Sequence, residues 1–315
     1  MAIRGEAAGN AENRDIYMMK KLCPFSTWIF AALCVLAPAR ASAADIRSEA
    51  KSEIDVTYKN DGYISARSKA ETSKKLKLRT SYVKPDGTKI EYTYDLNGGG
   101  DWETYSLQSG NGEYTIGILE NVDGRRYSTI QKVNVDVEYS RENAPFLVSA
   151  QNVNYAAGSG AVKKAEELCK NAGTDMEKVE SIYKYIVETI TYDTAKAKKI
   201  ASGEITGYLP EIENTLETSK GICFDYSSLF AAMLRSQDIP AKLIKGYVAL
   251  SPEPSYHAWN EVYIKGTGWI RIRSQVYFDG KDWTRMDATL ASSNTAGKRT
   301  QFLSEDRNYT KDKEY

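Results

Sequence analysis

The hydrophobic period of this chain changes once, across residues 143–160, and that change limits what each half can fold into. Before it, side chains alternate. Ile54, Val56 and Tyr58 form one run, Leu76, Leu78, Thr80 and Tyr82 a second, and Ile90, Tyr92 and Tyr94 a third. A period of two puts one face of a strand on a core and the other in water. Asn60-Asp61-Gly62, Pro85-Asp86-Gly87 and Asp123-Gly124 punctuate the runs, and Trp102–Leu107, Glu113–Glu120 and Arg126–Val137 read as further strands. About seven short strands at even spacing predict an all-β, immunoglobulin-like sandwich over residues 44–142. Tyr114, just after Gly110-Asn111-Gly112, has the placement of a tyrosine corner, although packing on a strand is its simpler account. Nothing in this half is catalytic, and its many Tyr suit half-buried strand positions.

Residues 143–160 contain Pro145 and Gly158-Ser159-Gly160 and read as a linker. The domain that follows, residues 161–315, opens with helical spacing. Lys163–Asn171 is a short helix stopped by Gly173. Thr174 and Glu177 form a capping box for a second helix, whose apolar face is Val179, Ile182, Ile186, Val187 and Ile190. Residues 193–220 have weak periodicity and read as a functional loop or lid. Gly221–Arg235 is a third helix, with Thr218 or Ser219 as its cap and Ile239-Pro240 as its stop. Ala241–Val248 and Tyr256–Ile264 are strands. Shorter ones are expected at Trp269–Arg273 and Val276–Phe278, and Trp283–Thr289 closes the sheet. Helices followed by antiparallel strands make an α+β domain.

Composition removes several function classes. Lys plus Arg number 42 and so do Asp plus Glu, so there is no basic excess for a nucleic-acid partner. One His and four scattered Cys, with no C-x-x-C, leave no zinc set, and no metal is expected. Asn97-Gly98-Gly99-Gly100 lacks the Lys-Ser/Thr of a phosphate loop, so no cofactor is expected either.

The first 43 residues read as a signal peptide with an upstream extension. Lys20-Lys21 precedes an apolar run from Leu22 to Ala37, and Ala41-Ser42-Ala43 is a cleavage site, with Met18 or Met19 as the start. The run is short for a membrane span, so a membrane is expected only through an uncleaved signal. The expected location is extracellular, secreted or at the cell surface.

Cleavage leaves Cys169 and Cys223. Cys223 falls in the first turn of its helix, where unpaired N–H groups and the positive dipole end favour a thiolate. His257 opens a strand of the following sheet, and Asp287 lies on a later one. A thiol is a good nucleophile when an imidazole takes its proton, and the imidazole needs a third group to orient it. Cys169 reads as an inert helical thiol, since a Cys169–Cys223 disulfide would disable the nucleophile.

Three ordered motifs carry a resemblance: Gly221-x-Cys223-x-Asp225-Tyr226, His257-Ala258-Trp259-Asn260-Glu261-Val262, and Trp283-x-x-Met286-Asp287-Ala288-Thr289, with Ile190-Thr191-Tyr192-Asp193 ahead of them. From about Thr174 to Ala291 the chain resembles the transglutaminase-like superfamily, relatives of papain-type cysteine proteases. The resemblance implies Cys223 as nucleophile, His257 as base and then acid, and Asp287 as orienter. It also implies Tyr192 as an oxyanion donor, while Trp259 reads either as core packing or as a wall of the substrate cleft. The chain departs from the family in having Ala288 where Pro is usual, and in an additional Gln275–Asp282 hairpin that makes Asp279 and Asp282 competitors of Asp287.

The resulting expectation is a transglutaminase-like domain behind a sandwich. It would act on a protein or peptide substrate, or a wall or matrix component, through a Cys223 thioester, with hydrolysis favoured over cross-linking. The rival is a non-catalytic cell-wall or matrix module with a residual triad.

Overall fold

The computed structural model describes residues 43–69, 71–249, 254–270, 285–286 and 309–315. The expected signal segment before Ala43, the strand Val276–Phe278, and Asp279, Asp282, Trp283 and Asp287 lie outside them.

Eight strands come first: β1 (Ile46–Ser48), β2 (Ser52–Asp55), β3 (Tyr63–Ser68), β4 (Leu76–Val83), β5 (Lys89–Leu96), β6 (Glu103–Ser106), β7 (Gly112–Asp123) and β8 (Arg126–Val137). They form two four-stranded antiparallel sheets, ordered β1-β2-β3-β6 and β5-β4-β7-β8. In β4 the alternation is complete: Leu76, Leu78, Thr80 and Tyr82 are buried and the residues between them are not. Both sheets give their apolar faces to one core, which includes Ile54, Ile64, Leu78, Tyr105, Tyr114 and Ile116. Each such side chain contributes about 1.5–3 kcal/mol by leaving water. Tyr114 does more than pack. Its hydroxyl lies 2.9 Å from the Gly110 carbonyl and 3.2 Å from that of Leu107, and accepts the Ser109 N–H at 2.8 Å. It pins the turn that leads into β7.

The segment read as a linker is packed over its first part, residues 144–153, and exposed over much of the rest. Ala144, Phe146, Leu147, Ala150 and Val153 are buried. Pro145 sits against Gly62, where an added Cβ would lie 2.5 Å from the Pro145 nitrogen, and Gly62 has a φ of +88°. Only glycine meets both demands.

The second half contains α1 (Gly160–Cys169), α2 (Asp175–Thr189), β9 (Thr191–Tyr192), α3 (Thr194–Ala201), α4 (Ile212–Thr218), β10 (Lys220–Gly221) and α5 (Cys223–Ser236). Strands β11 (Ala241–Val248), β12 (Ser255–Ile264), β13 (Gly268–Ile270), β14 (Arg285–Met286) and β15 (Tyr309–Glu314) follow. The capping box at Thr174 forms as expected. The lid region instead holds two helices. Helix α3 fully buries no residue and meets the core only through half-buried Ala197 and Ile200, a short stripe among lysines. The expected cap of α5 is also corrected. Thr218 ends α4, Ser219 turns with a φ of +51°, and the Asp225 carboxylate caps α5 by accepting the Ile222 N–H at 2.8 Å.

Helix α5 is buried from Phe224 to Arg235, which explains why its sequence is apolar nearly all round. It packs on a sheet ordered β13-β12-β11-β15, with β14 also paired to β12. Tyr226 donates to the Ile190 carbonyl at 2.6 Å, fixing the start of α5 to the end of α2. Buried Arg235 at the other end donates to the carbonyls of Ala241, Val148 and Tyr315. Burial pulls its guanidinium down to about 10. Among the described residues no helix is long and apolar enough to cross a membrane.

Candidate active site

Cys223 is the first residue of α5, and its placement is the work of its neighbours. Gly221 lets the chain pass close to α5, because an added Cβ there would lie 2.6 Å from Asp225 Cβ. The parallel pairing of β10 with β9, which sets Gly221 opposite Tyr192, clamps the approach from the other side. Asp193 N–H donates to the Gly221 carbonyl at 2.8 Å. Asp225 has no solvent exposure and accepts from Ile222 N–H, from Tyr208 Oη at 2.5 Å and from Lys196 Nζ at 3.1 Å. The Gly-x-Cys-x-Asp motif is therefore a close backbone approach, a thiol and the carboxylate that caps it.

Strand β12 carries His257 near its start. One residue farther along the strand, Asn260, ties it to both neighbours: its Nδ2 donates to the Ser227 carbonyl of α5 at 2.9 Å and to the Lys242 carbonyl of β11 at 3.1 Å. Gly246 on β11 stands opposite His257. Its missing side chain admits β15, since a Cβ there would lie 2.1 Å from the Thr310 oxygen.

Cys223 and His257 both line one cleft of about 390 Å³. Cys223 is half-buried and unbridged, while Cys169 is buried elsewhere and burial pushes its thiol up. Ile200, Ile205 and Tyr208 from the α3–α4 segment form one wall, and Lys245, Tyr256 and Tyr315 stand on others. Tyr192 is half-exposed and stands opposite Gly221, and it is not among the residues that line the cleft. Burial first, and then the charge on Cys223, push its hydroxyl up.

Trp259 is a correction. It is 1% exposed and packs with Ile244, Val248 and Tyr309, edge-on to the Tyr309 ring at 5.1 Å. Its bulk fills a small core around β11, β12 and β15, and it is absent from the cleft wall. Asp287 lies outside the described residues, and its neighbour Met286 pairs with Asn260 on β12.

Three participants were not read from the sequence. Tyr208 and Lys196 come from the segment that looked irregular. Lys245 sits in an apolar strand, Ala-Lys-Leu-Ile-Lys-Gly, where a lysine reads as an outward-facing residue. Among the described residues no group of three His, Cys, Asp or Glu comes together to hold a metal ion.

A thiol at a helix N-terminus and an imidazole on a strand thus share one cleft. Residues 162–274 match the Transglutaminase-like superfamily, and the α+β fold of this part of the chain is the one that likeness implies. Members of that superfamily are typically cysteine proteases or acyltransferases. Over 118 residues the chain is 30% identical to the human Kyphoscoliosis peptidase, covering 35% of this chain and 17% of that protein. Over 106 residues it is 36% identical to a UPF0252 protein of Methanocaldococcus jannaschii, covering 31% and 29%. The chain thus spans less than a third of either relative. A solved structure from Cytophaga hutchinsonii, described as a candidate cysteine protease, aligns with a TM-score of 0.39 and 15% identity over 80% of this chain and 83% of that one.

Proposed function

We propose that this protein is a secreted cysteine-dependent acyl-transfer enzyme that opens amide or peptide bonds through a thioester on Cys223. The observation that carries this reading is the shared cleft of Cys223 and His257. His257 takes the thiol proton, and the sulfur attacks the substrate carbonyl. The Cys223 backbone N–H, unpaired at the start of α5, is aimed at the developing oxyanion, with Tyr192 as a second donor. His257 returns its proton to the departing amine, and Asp287 orients its ring. Water then attacks the thioester and releases the acid.

Hydrolysis is favoured over cross-linking because Lys245 stands in the cleft, where its charge opposes an incoming lysine ammonium. The two N-terminal sheets we read as an immunoglobulin-like sandwich, supported by the corner bonds of Tyr114. The basic, apolar and Ala-x-Ala segments before Ala44 support export.

The test is turnover of a fluorogenic peptide-amide library with and without a dansyl-labelled primary amine. Wild type is expected to release the free acid, and Cys223→Ala to release nothing. Dansyl incorporation exceeding acid release would reverse the acceptor assignment. No turnover, together with a Cys223 that iodoacetamide does not label, would favour the non-catalytic binding module.

A further inference from the structure

Lys245 is placed as few lysines are. Its ammonium is largely buried and lines the Cys223 cleft, with Nζ donating to Asn152 Oδ1 at 3.0 Å. It lies 3.7 Å from the Phe224 ring centroid and 5.0 Å from that of Tyr315. An ammonium has three N–H donors, and Asn152 takes one. Among the described residues no carboxylate reaches it. Asp225, the buried acid of this region, is already held by Lys196, Tyr208 and Ile222. Burial drives the ammonium down to about 8, and the charge on Cys223 is what pulls it back. At neutral pH this remains a cation, and among the described residues no carboxylate is bonded to it to offset the cost of its burial. The rest of the cleft wall is mainly apolar and aromatic, apart from the Cys223–His257 pair.

We infer that Lys245 is a specificity-determining residue that binds a carboxylate of the acyl donor, so that the cleft selects substrates with an acidic side chain or free carboxylate next to the reacting amide. This rests on the reading of Cys223 as the nucleophile. A carboxylate entering the cleft accepts the ammonium's remaining N–H donors while Asn152 and the Phe224 face hold the amine in place. Charge-assisted bonds in a desolvated site are the strong ones, and a matching amide group would lose the charge half of the interaction. Arg would not substitute well, because its planar fork is larger than the point charge that the Asn152–Phe224 seat accommodates.

The experiment compares two alkylating reagents of nearly equal size, anionic iodoacetate and neutral iodoacetamide. In each, the Cys223 thiolate attacks the methylene carbon, the carbon–sulfur bond forms, the carbon–iodine bond breaks and iodide leaves. Rates at Cys223 are followed by mass spectrometry of its peptide, in wild type and in Lys245→Met. The readout is the iodoacetate-to-iodoacetamide ratio, which cancels changes in thiolate content. That ratio is expected to fall about tenfold in Lys245→Met, the worth of one charge-assisted contact. An equal slowing of both reagents would mean that Lys245 acts only on the thiolate, and it would overturn the carboxylate assignment while leaving the nucleophile intact. An unchanged ratio at unchanged rates overturns it as well. Failure of both reagents in wild type would instead remove the nucleophile, and the inference with it. A matched pair of peptide substrates, Glu against Gln beside the reacting amide, gives the second readout. Wild type is expected to prefer Glu and Lys245→Met to lose that preference, and equal preference in the two proteins overturns the assignment.

Discussion

The hydroxyl of Tyr208 donates to Asp225 Oδ1 at 2.5 Å, so a residue from the stretch between α3 and α4 holds the carboxylate that caps the helix carrying Cys223. Removing that donor leaves a fully buried carboxylate short of a partner. Tyr208→Phe is expected to cost about 1–3 kcal/mol, seen as a lower urea midpoint, with faster amide exchange over residues 194–211. Exchange that speeds up elsewhere but not there would contradict the tether.

Cys223 is half-buried and faces the cleft. Cys223→Ala is therefore expected to shift the melting temperature little, because removing a thiol from an open wall creates no enclosed cavity. A large loss of melting temperature would place the sulfur in the core instead.

Gly246 admits β15 to the sheet. A methyl there would lie 2.1 Å from the Thr310 oxygen and 2.8 Å from the Trp259 ring. Gly246→Ala is expected to destabilise by roughly 1–3 kcal/mol as the edge strand shifts. Chemical denaturation measures this, and a neutral result would mean that β15 yields without cost.

Lys245 makes stability depend on pH in a definite direction. Its folded value is about 8, against 10.5 for the ordinary ammonium. Between the two, the unfolded chain binds more protons than the folded one, so this group adds stability as pH rises from 8 toward 10.5. Wild type is expected to gain on Lys245→Met over that window, by no more than about 3 kcal/mol. Paired urea titrations at pH 7.5 and 9.5 check the sign, and wild type losing ground to Lys245→Met as pH rises would refute it.

The buried tyrosines act in the opposite sense. Burial pushes Tyr94, Tyr105 and Tyr114 well above the ordinary phenol and Tyr92 to about 12. Their stabilisation is fully present below pH 10 and is lost as pH climbs through the raised values. Alkaline unfolding is expected above pH 10, with tyrosinate absorbance rising in one cooperative step alongside loss of near-ultraviolet circular dichroism. Independent, gradual titration of the phenols would contradict their burial.

The sequence by itself determined the local and periodic features. The alternation in β4, the capping box of α2 and the apolar length of α5 each follow from spacing and propensity within a few residues. The Cys223 and His257 motifs were legible for the same reason, since a close-approach glycine and a strand-opening histidine leave short signatures. Tertiary structure decided what depends on partners far along the chain. Helix α3 announces itself only through half-buried Ala197 and Ile200, and charged β15 becomes a sheet strand only by pairing with β11. Trp259 stands two residues from His257, yet it serves a core closed by Tyr309, fifty residues later in the chain. Lys245 became a cleft residue only when Asn152, Phe224 and Tyr315 gathered around it. Periodicity records which residues leave water, but a buried polar group's partners are set by the packing of distant segments, which no local pattern encodes.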